Sequence, residues 1–169
     1  MDGRDRDFIQ HMPRLRRYAR ALTGDRARAD DLVQDTLERA LVKFHLWQPD
    51  SDMRAWLFTI MHNVYINQVR SSSHGMTTGL DDENLLPPLR ATQSDRLEVR
   101  DLQVALLRVS EEQREVLLLV GLEQMTYEET AGVLGIPIGT VMSRLSRARE
   151  RLRGLLAGGA MPAALKVVK

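Results

Sequence analysis

Apolar residues recur three and four positions apart through most of the chain, and β-branched or aromatic residues nowhere alternate with polar ones over a useful length. That period belongs to helices with one buried face rather than to strands, so the chain reads as all-α. A first helix is expected over about 8–22, closed by Thr23-Gly24, because glycine takes the left-handed conformation that ends helices. A second begins near Ala29-Asp30-Asp31, whose carboxylates suit the positive end of a helix. It runs to about Trp47, with Val33, Leu37, Ala40, Leu41 and Phe44 inward, and Pro49 ends it. A third runs from Met53 or Arg54 to Arg70, with Leu57, Ile60, Met61 and Val64 on its apolar side.

The pattern then lapses. Ser71 to Gly79 is small and polar, and acidic Asp81-Asp82-Glu83 and Pro87-Pro88 follow. No periodic face can be buried there, which predicts a flexible linker over 71–96. Beyond it, helices are expected over about 95–109, 111–120, 126–134 and 138–156. Ser110 followed by Gln113, and Thr126 followed by Glu129, both carry the spacing of a capping box. The expectation is two small helical domains, 1–70 and 97–156, with a C-terminal tail over 157–169. Each is near the lower size limit for independent stability, and their relative placement is expected to be adjustable.

A short helix, a turn carrying Gly135-Ile136-Pro137 and a longer basic helix make a helix-turn-helix, the arrangement that lays its second helix in the DNA major groove. Ala131, Val133, Leu134, Ile138, Val141 and Leu145 are expected to form its small core. Thr140, Ser143, Arg144, Arg147 and Arg151, all but the adjacent Ser143 and Arg144 three or four apart, form a candidate DNA-reading stripe on the second helix.

Charge changes the picture only once it is located. The chain has 169 residues, 24 Lys+Arg and 23 Asp+Glu, a formal balance of +1 that hints at no partner. Yet residues 138–153 hold five arginines against Glu150, and residues 111–129 hold six glutamates against Arg114. The near-zero total conceals a dipolar second half. A solvated face would also account for the arginines, so the DNA reading rests on the motif.

Two further stripes stand out. In the third helix Trp56, Asn63, Asn67 and Arg70 share a side. An indole can stack on an unpaired base, and amides can read its edge, so this set suits single-stranded DNA; Trp56 would equally serve as core. In the second helix Asp31, Gln34, Asp35 and Glu38 share an acidic, amide-bearing side, the wrong sign for DNA. A solvated face is the plain explanation for it, and a protein-docking surface the alternative.

Three ordered segments carry a resemblance. They are Asp30-Asp-Leu-Val-Gln-Asp-Thr-Leu-Glu-Arg-Ala40, the Trp56 helix with Asn63 and Asn67, and Tyr127 to Arg149. Together they resemble the extracytoplasmic-function (ECF) sigma factors of bacterial RNA polymerase, over about residues 8–156. The resemblance implies that Asp31, Gln34, Asp35 and Glu38 dock on the β′ clamp helices. It implies that Trp56, Asn63, Asn67 and Arg70 melt and read the minus-10 element, with the loop from Leu46 to Asp52 capturing a flipped base. It further implies that the helix-turn-helix, with Thr140, Ser143, Arg144, Arg147 and Arg151, reads the minus-35 element and sits on the β flap. Core RNA polymerase, promoter DNA and an anti-sigma factor are the implied partners. The chain departs from the family at Met142, where many members carry arginine, and at Ser146, where others are bulkier. DNA contacts from these two do not carry over.

Competing classes are a stand-alone helix-turn-helix regulator, which leaves the first half unexplained, and a sigma-mimicking decoy for an anti-sigma factor, which would not need the basic helix. An enzyme is not expected. The four histidines show no metal-ligand spacing, cysteine is absent and no phosphate-binding loop occurs. No cofactor or metal is therefore expected. No stretch approaches the ~18 apolar residues of a membrane span, and a cytoplasmic location is the expectation.

Overall fold

The computed structural model describes residues 3–75 and 95–157. Among these residues the chain forms seven α-helices and no strand: α1 Gly3–Thr23, α2 Arg26–Lys43, α3 Met53–Gly75, α4 Asp95–Leu107, α5 Glu111–Gly121, α6 Tyr127–Leu134 and α7 Ile138–Leu156. A single 3-10 turn, Phe44–Leu46, follows α2. The all-helical expectation holds, and so does the order of elements. Most of the expected linker, and the tail beyond Ala157, lie outside the described residues.

Local chemistry explains where the helices begin and end. The second starts earlier than its aspartates suggested, because Asp25 caps it by accepting from the Ala27 N–H at 2.8 Å. It stops at Lys43, and Phe44–Leu46 tightens into the 3-10 turn before Trp47 turns extended. The third begins on Asp52, whose carboxylate accepts from the Arg54 N–H at 2.9 Å. It continues to Gly75, five residues past the expected end, so Ser71 to Gly75 belong to a helix and not to a linker.

In the helix-turn-helix, the Thr126 hydroxyl accepts from the Glu129 N–H at 3.0 Å and opens α6. Gly135 closes it at φ 64°, which lets its own N–H and that of Ile136 both reach the Ala131 carbonyl. Pro137 then stands at the head of α7, its carbonyl accepting from Thr140 and Val141.

The N-terminal half packs α1, α2 and α3 around Leu15, Leu22, Leu32, Leu57, Phe58 and Met61. The buried line of α2 is Ala29, Leu32, Val33, Thr36 and Ala40. Thr36 hides its hydroxyl on the Leu32 carbonyl at 2.7 Å. Leu41 was expected inward but is 61% exposed. It lies about 120° round the helix from that line, at about 100° per residue. Leu37 and Phe44 are only half-buried.

The C-terminal half packs α5, α6 and α7 on Val116, Leu119, Val133, Leu134, Val141 and Leu145, and a smaller cluster of Ala105, Val109, Ala148 and Leu155 holds α4 to α7. Ile138, the first residue of α7, is exposed rather than inward, and Ala131 is half-buried. The two halves do not stand apart. One apolar cluster runs from Phe8 through Tyr65 to Leu145, joining them.

Candidate nucleic-acid interface

On α7 the buried line is Val141, Leu145, Ala148 and Leu155. The side directly opposite carries Gly139, Ser143, Ser146 and Glu150, flanked by Met142 and Arg147, and all six are exposed. The arginine stripe inferred from spacing is therefore split. Ser143 and Arg147 are on the open side, whereas Thr140, Arg144 and Arg151 are half-buried on the flank toward α5. Arg144 reaches back to Glu112 on α5 at 3.4 Å. Met142 and Ser146, the two departures from the family pattern, lie on the open side.

On α3 the exposed side carries Asn63, Asn67 and Arg70 in line. Trp56 is recessed at the head of that line, half-buried against Phe44 at a centroid separation of 6.4 Å. Phe44 also meets Phe8 and Trp47, both at 5.5 Å. An aromatic cluster thus underlies the turn from Leu46 to Asp52. That turn is held by Ser51, whose hydroxyl donates to the Gln48 carbonyl at 2.6 Å.

On α2, Asp31, Gln34 and Glu38 are exposed, and the Gln34 amide donates to Glu38 at 3.2 Å. Asp35 differs, being half-buried and accepting from the Gln68 amide of α3 at 2.8 Å. It fastens α2 to α3 as well as adding negative charge.

The face that spacing did not reveal lies between the halves. Arg17 of α1 meets Glu123 at 3.1 Å. Arg54 of α3 donates to the Glu123 carbonyl at 3.0 Å and to the Glu129 carboxylate at 3.1 Å. His62 Nδ1 lies 2.8 Å from the Glu115 carboxylate, both largely buried. Arg114 is buried and donates to the carbonyls of Leu106, Leu107 and Val109 in its own half and to Leu22 in the other. Its guanidinium therefore satisfies the ends of α1 and α4 together. Burial lowers its pKa from the ordinary arginine value. Burial likewise pushes the Tyr65 phenol up to about 12, with Glu111 adding to the effect. Tyr18, wholly enclosed, is raised well above the ordinary phenol value by the same burial, with Glu115 adding to it. The acidic run at 111–129 was the only signal of this face in the sequence, and it gave no hint of which surface it meets.

Among the described residues no group of three or more histidines and carboxylates could hold a metal ion. None of the described helices is long and apolar enough to cross a membrane.

Residues 8–62 match the family described as the Sigma2 domain of PhyR, and residues 100–152 match Sigma-70 region 4. ECF RNA polymerase sigma factor EcfG of Rhodopseudomonas palustris (strain TIE-1) is 38% identical over 152 residues, covering 89% of this chain and 83% of that protein. The chain belongs to the ECF sigma factors. It associates with core RNA polymerase and directs promoter-specific transcription initiation. ECF RNA polymerase sigma factor SigL of Mycobacterium tuberculosis (strain ATCC 25618 / H37Rv) is 36% identical over 158 residues, 86% of this chain and 84% of that one. Among solved structures, the sigma factor RpoE in complex with the anti-sigma factor NepR, from Bartonella quintana, is 33% identical with a TM-score of 0.77. The match covers 93% of this chain and 98% of that one. CnrH in complex with the cytosolic domain of CnrY is 29% identical, TM-score 0.66, covering 88% and 84%. This sigma factor thus shares both its halves and their order with relatives of similar length, and its family consists of DNA-binding regulators.

Proposed function

We propose that the N-terminal half, about 1–70, holds the polymerase and minus-10 contacts, and that the C-terminal half, about 97–156, holds the minus-35 contacts. The observation that carries this division is that three outward stripes of different chemistry remain open on one packed body. The acidic stripe Asp31, Gln34 and Glu38, with Asp35 beneath it, meets the β′ clamp helices. Asn63, Asn67 and Arg70 follow unpaired minus-10 bases, and Trp56 with its aromatic cluster supports the base-capturing turn. Ser143 and Arg147 enter the minus-35 major groove, while Thr140, Arg144 and Arg151 lie along its phosphate edge.

The protein works in the cytoplasm, where polymerase is, and has no catalytic centre of its own. An anti-sigma factor holds it inactive, a reading supported by the complexes of its structural relatives with such factors. A stand-alone regulator is disfavoured because the family match includes the first half. A decoy is disfavoured because α7 keeps five arginines against one acidic residue over 138–153.

Run-off transcription with purified core polymerase on a promoter library, followed by start-site mapping, tests the reading. Starts at a fixed distance from paired upstream elements are expected. Tight duplex binding with no stimulation of polymerase on any promoter would overturn it.

A further inference from the structure

The N-terminal residues of the second helix of a helix-turn-helix are the ones that reach base edges, and in α7 those leading turns carry little charge. Across 138–146 the exposed residues are Ile138, Gly139, Met142, Ser143 and Ser146. The one charged residue of that stretch, Arg144, is half-buried on the flank and paired with Glu112 at 3.4 Å. The open side therefore presents no cation to a base before Arg147.

Met142 dominates what remains. It is 48% exposed, and Ile138 at the helix start is 40% exposed. Gly139, Ser143 and Ser146 around it on the open side are small, so its side chain is the longest one there. Ser143 donates its hydroxyl proton to the Thr140 carbonyl at 3.1 Å, which leaves it the capacity only to accept. Tyr127 and Leu145 line the same shallow cleft as Met142, so the thioether has apolar support on the protein side.

In the major groove the base edges are donors and acceptors with one apolar exception, the C5 methyl of thymine. A thioether has no donor and accepts only weakly. Set against a guanine edge it would strip water from polar groups and give them no partner, whereas set against thymine it buries a methyl. We infer that Met142 is a specificity-determining residue of the upstream contact: its side chain packs on a thymine methyl in the minus-35 major groove and selects an A·T pair there. Arg149 and Arg153, exposed on the same side further along α7, hold the phosphate backbone. The inference rests on the minus-35 assignment of the second half.

The test uses holoenzyme reconstituted from core polymerase and the full chain, with a duplex promoter fragment recovered from the run-off library. Each thymine of the upstream element, on either strand, is replaced in turn by deoxyuridine, which pairs identically and lacks the methyl. Wild-type holoenzyme is expected to lose about fourfold in affinity at one of these positions, the effect of burying one methyl group fewer. Met142→Ala should bind the thymine and deoxyuridine fragments alike, while Met142→Leu, still apolar, should keep the wild-type preference. Met142→Arg should move the preferred pair at that position to G·C. Met142 is exposed, so these variants leave the core packed, and core-polymerase affinity should stay constant. Equal wild-type affinity for every deoxyuridine fragment overturns the inference, as does a thymine preference that persists in Met142→Ala. An upstream element made of G·C pairs alone overturns it as well. Scrambling the whole upstream element separates the two levels. A large loss on scrambling with no deoxyuridine effect leaves the minus-35 reading standing and removes Met142 from it; no loss on scrambling defeats the minus-35 reading itself.

Discussion

At the scale of single residues, spacing identified which side chains share a side of a helix but not which way that side faces. Thr140, Arg144 and Arg151 do share a side, and it is a flank partly closed by α5. The buried line of α7 leaves Ser143 and Arg147 to point outward. Arg147→Ala is therefore expected to weaken minus-35 dependence by about 1–3 kcal/mol while leaving core-polymerase binding intact. Promoter titrations at several salt concentrations check this, and equal activity at all of them would remove Arg147 from the interface. Asp35 teaches the complementary lesson, because its carboxylate also accepts from Gln68. Asp35→Asn keeps an acceptor there and removes the charge, so it should lower polymerase affinity with little change in melting temperature. Asp35→Arg should lower both.

At the scale of elements, caps and turns set the frame that aims α7. The Thr126 hydroxyl serves one of the open N–H groups of α6, and Thr126→Ala is expected to cost about 1 kcal/mol of stability. Gly135 stands in the left-handed region. Gly135→Ala meets open space but a strained backbone, with an expected cost of about 1–2 kcal/mol. Urea titration followed by far-ultraviolet dichroism reads both, and a midpoint unchanged in either variant would contradict the corresponding assignment. The capping-box spacing at Thr126 and Glu129 was half informative. The serving hydroxyl is in place, but the Glu129 side chain turns to Arg54 of the other half, where it finds a full charge instead of an N–H.

At the scale of the whole molecule, the packing of the two halves governs both stability and pH response. Tyr18 and Tyr65 are enclosed where α1 and α3 meet α5, and both phenols are held in the neutral form by burial. For Tyr65 the folded value, about 12, lies above the ordinary 10.0. The folded state then keeps its proton where the unfolded chain loses it, so its contribution is complete below about pH 10 and disappears as pH rises toward 12. Melting temperature should fall over that interval, and tyrosinate absorbance should appear later than in the unfolded chain. Tyr65→Phe should soften the fall. An ionisation curve identical to that of the denatured protein would place the ring in water.

Much of this protein was legible along the chain. The helical period, the glycine that ends α6, the Thr126 cap and the basic helix after Gly135 are all local features. Local hydrogen bonding and steric limits act within a few residues, so a linear reading reaches them. The ordered motifs in both halves also pointed to the family. What the tertiary structure alone decided is which surfaces remain free. Leu41 was expected inward and is exposed, and Ser71 to Gly75 extend α3. Across the joint between the halves lie Glu115, Glu123 and Glu129, carboxylates whose partners are 53, 106 and 75 residues away. No local pattern encodes such a pairing, because a charge does not name its counterion. Only the packing of α3 and α1 against α5 and α6, driven by apolar burial, brings them within reach.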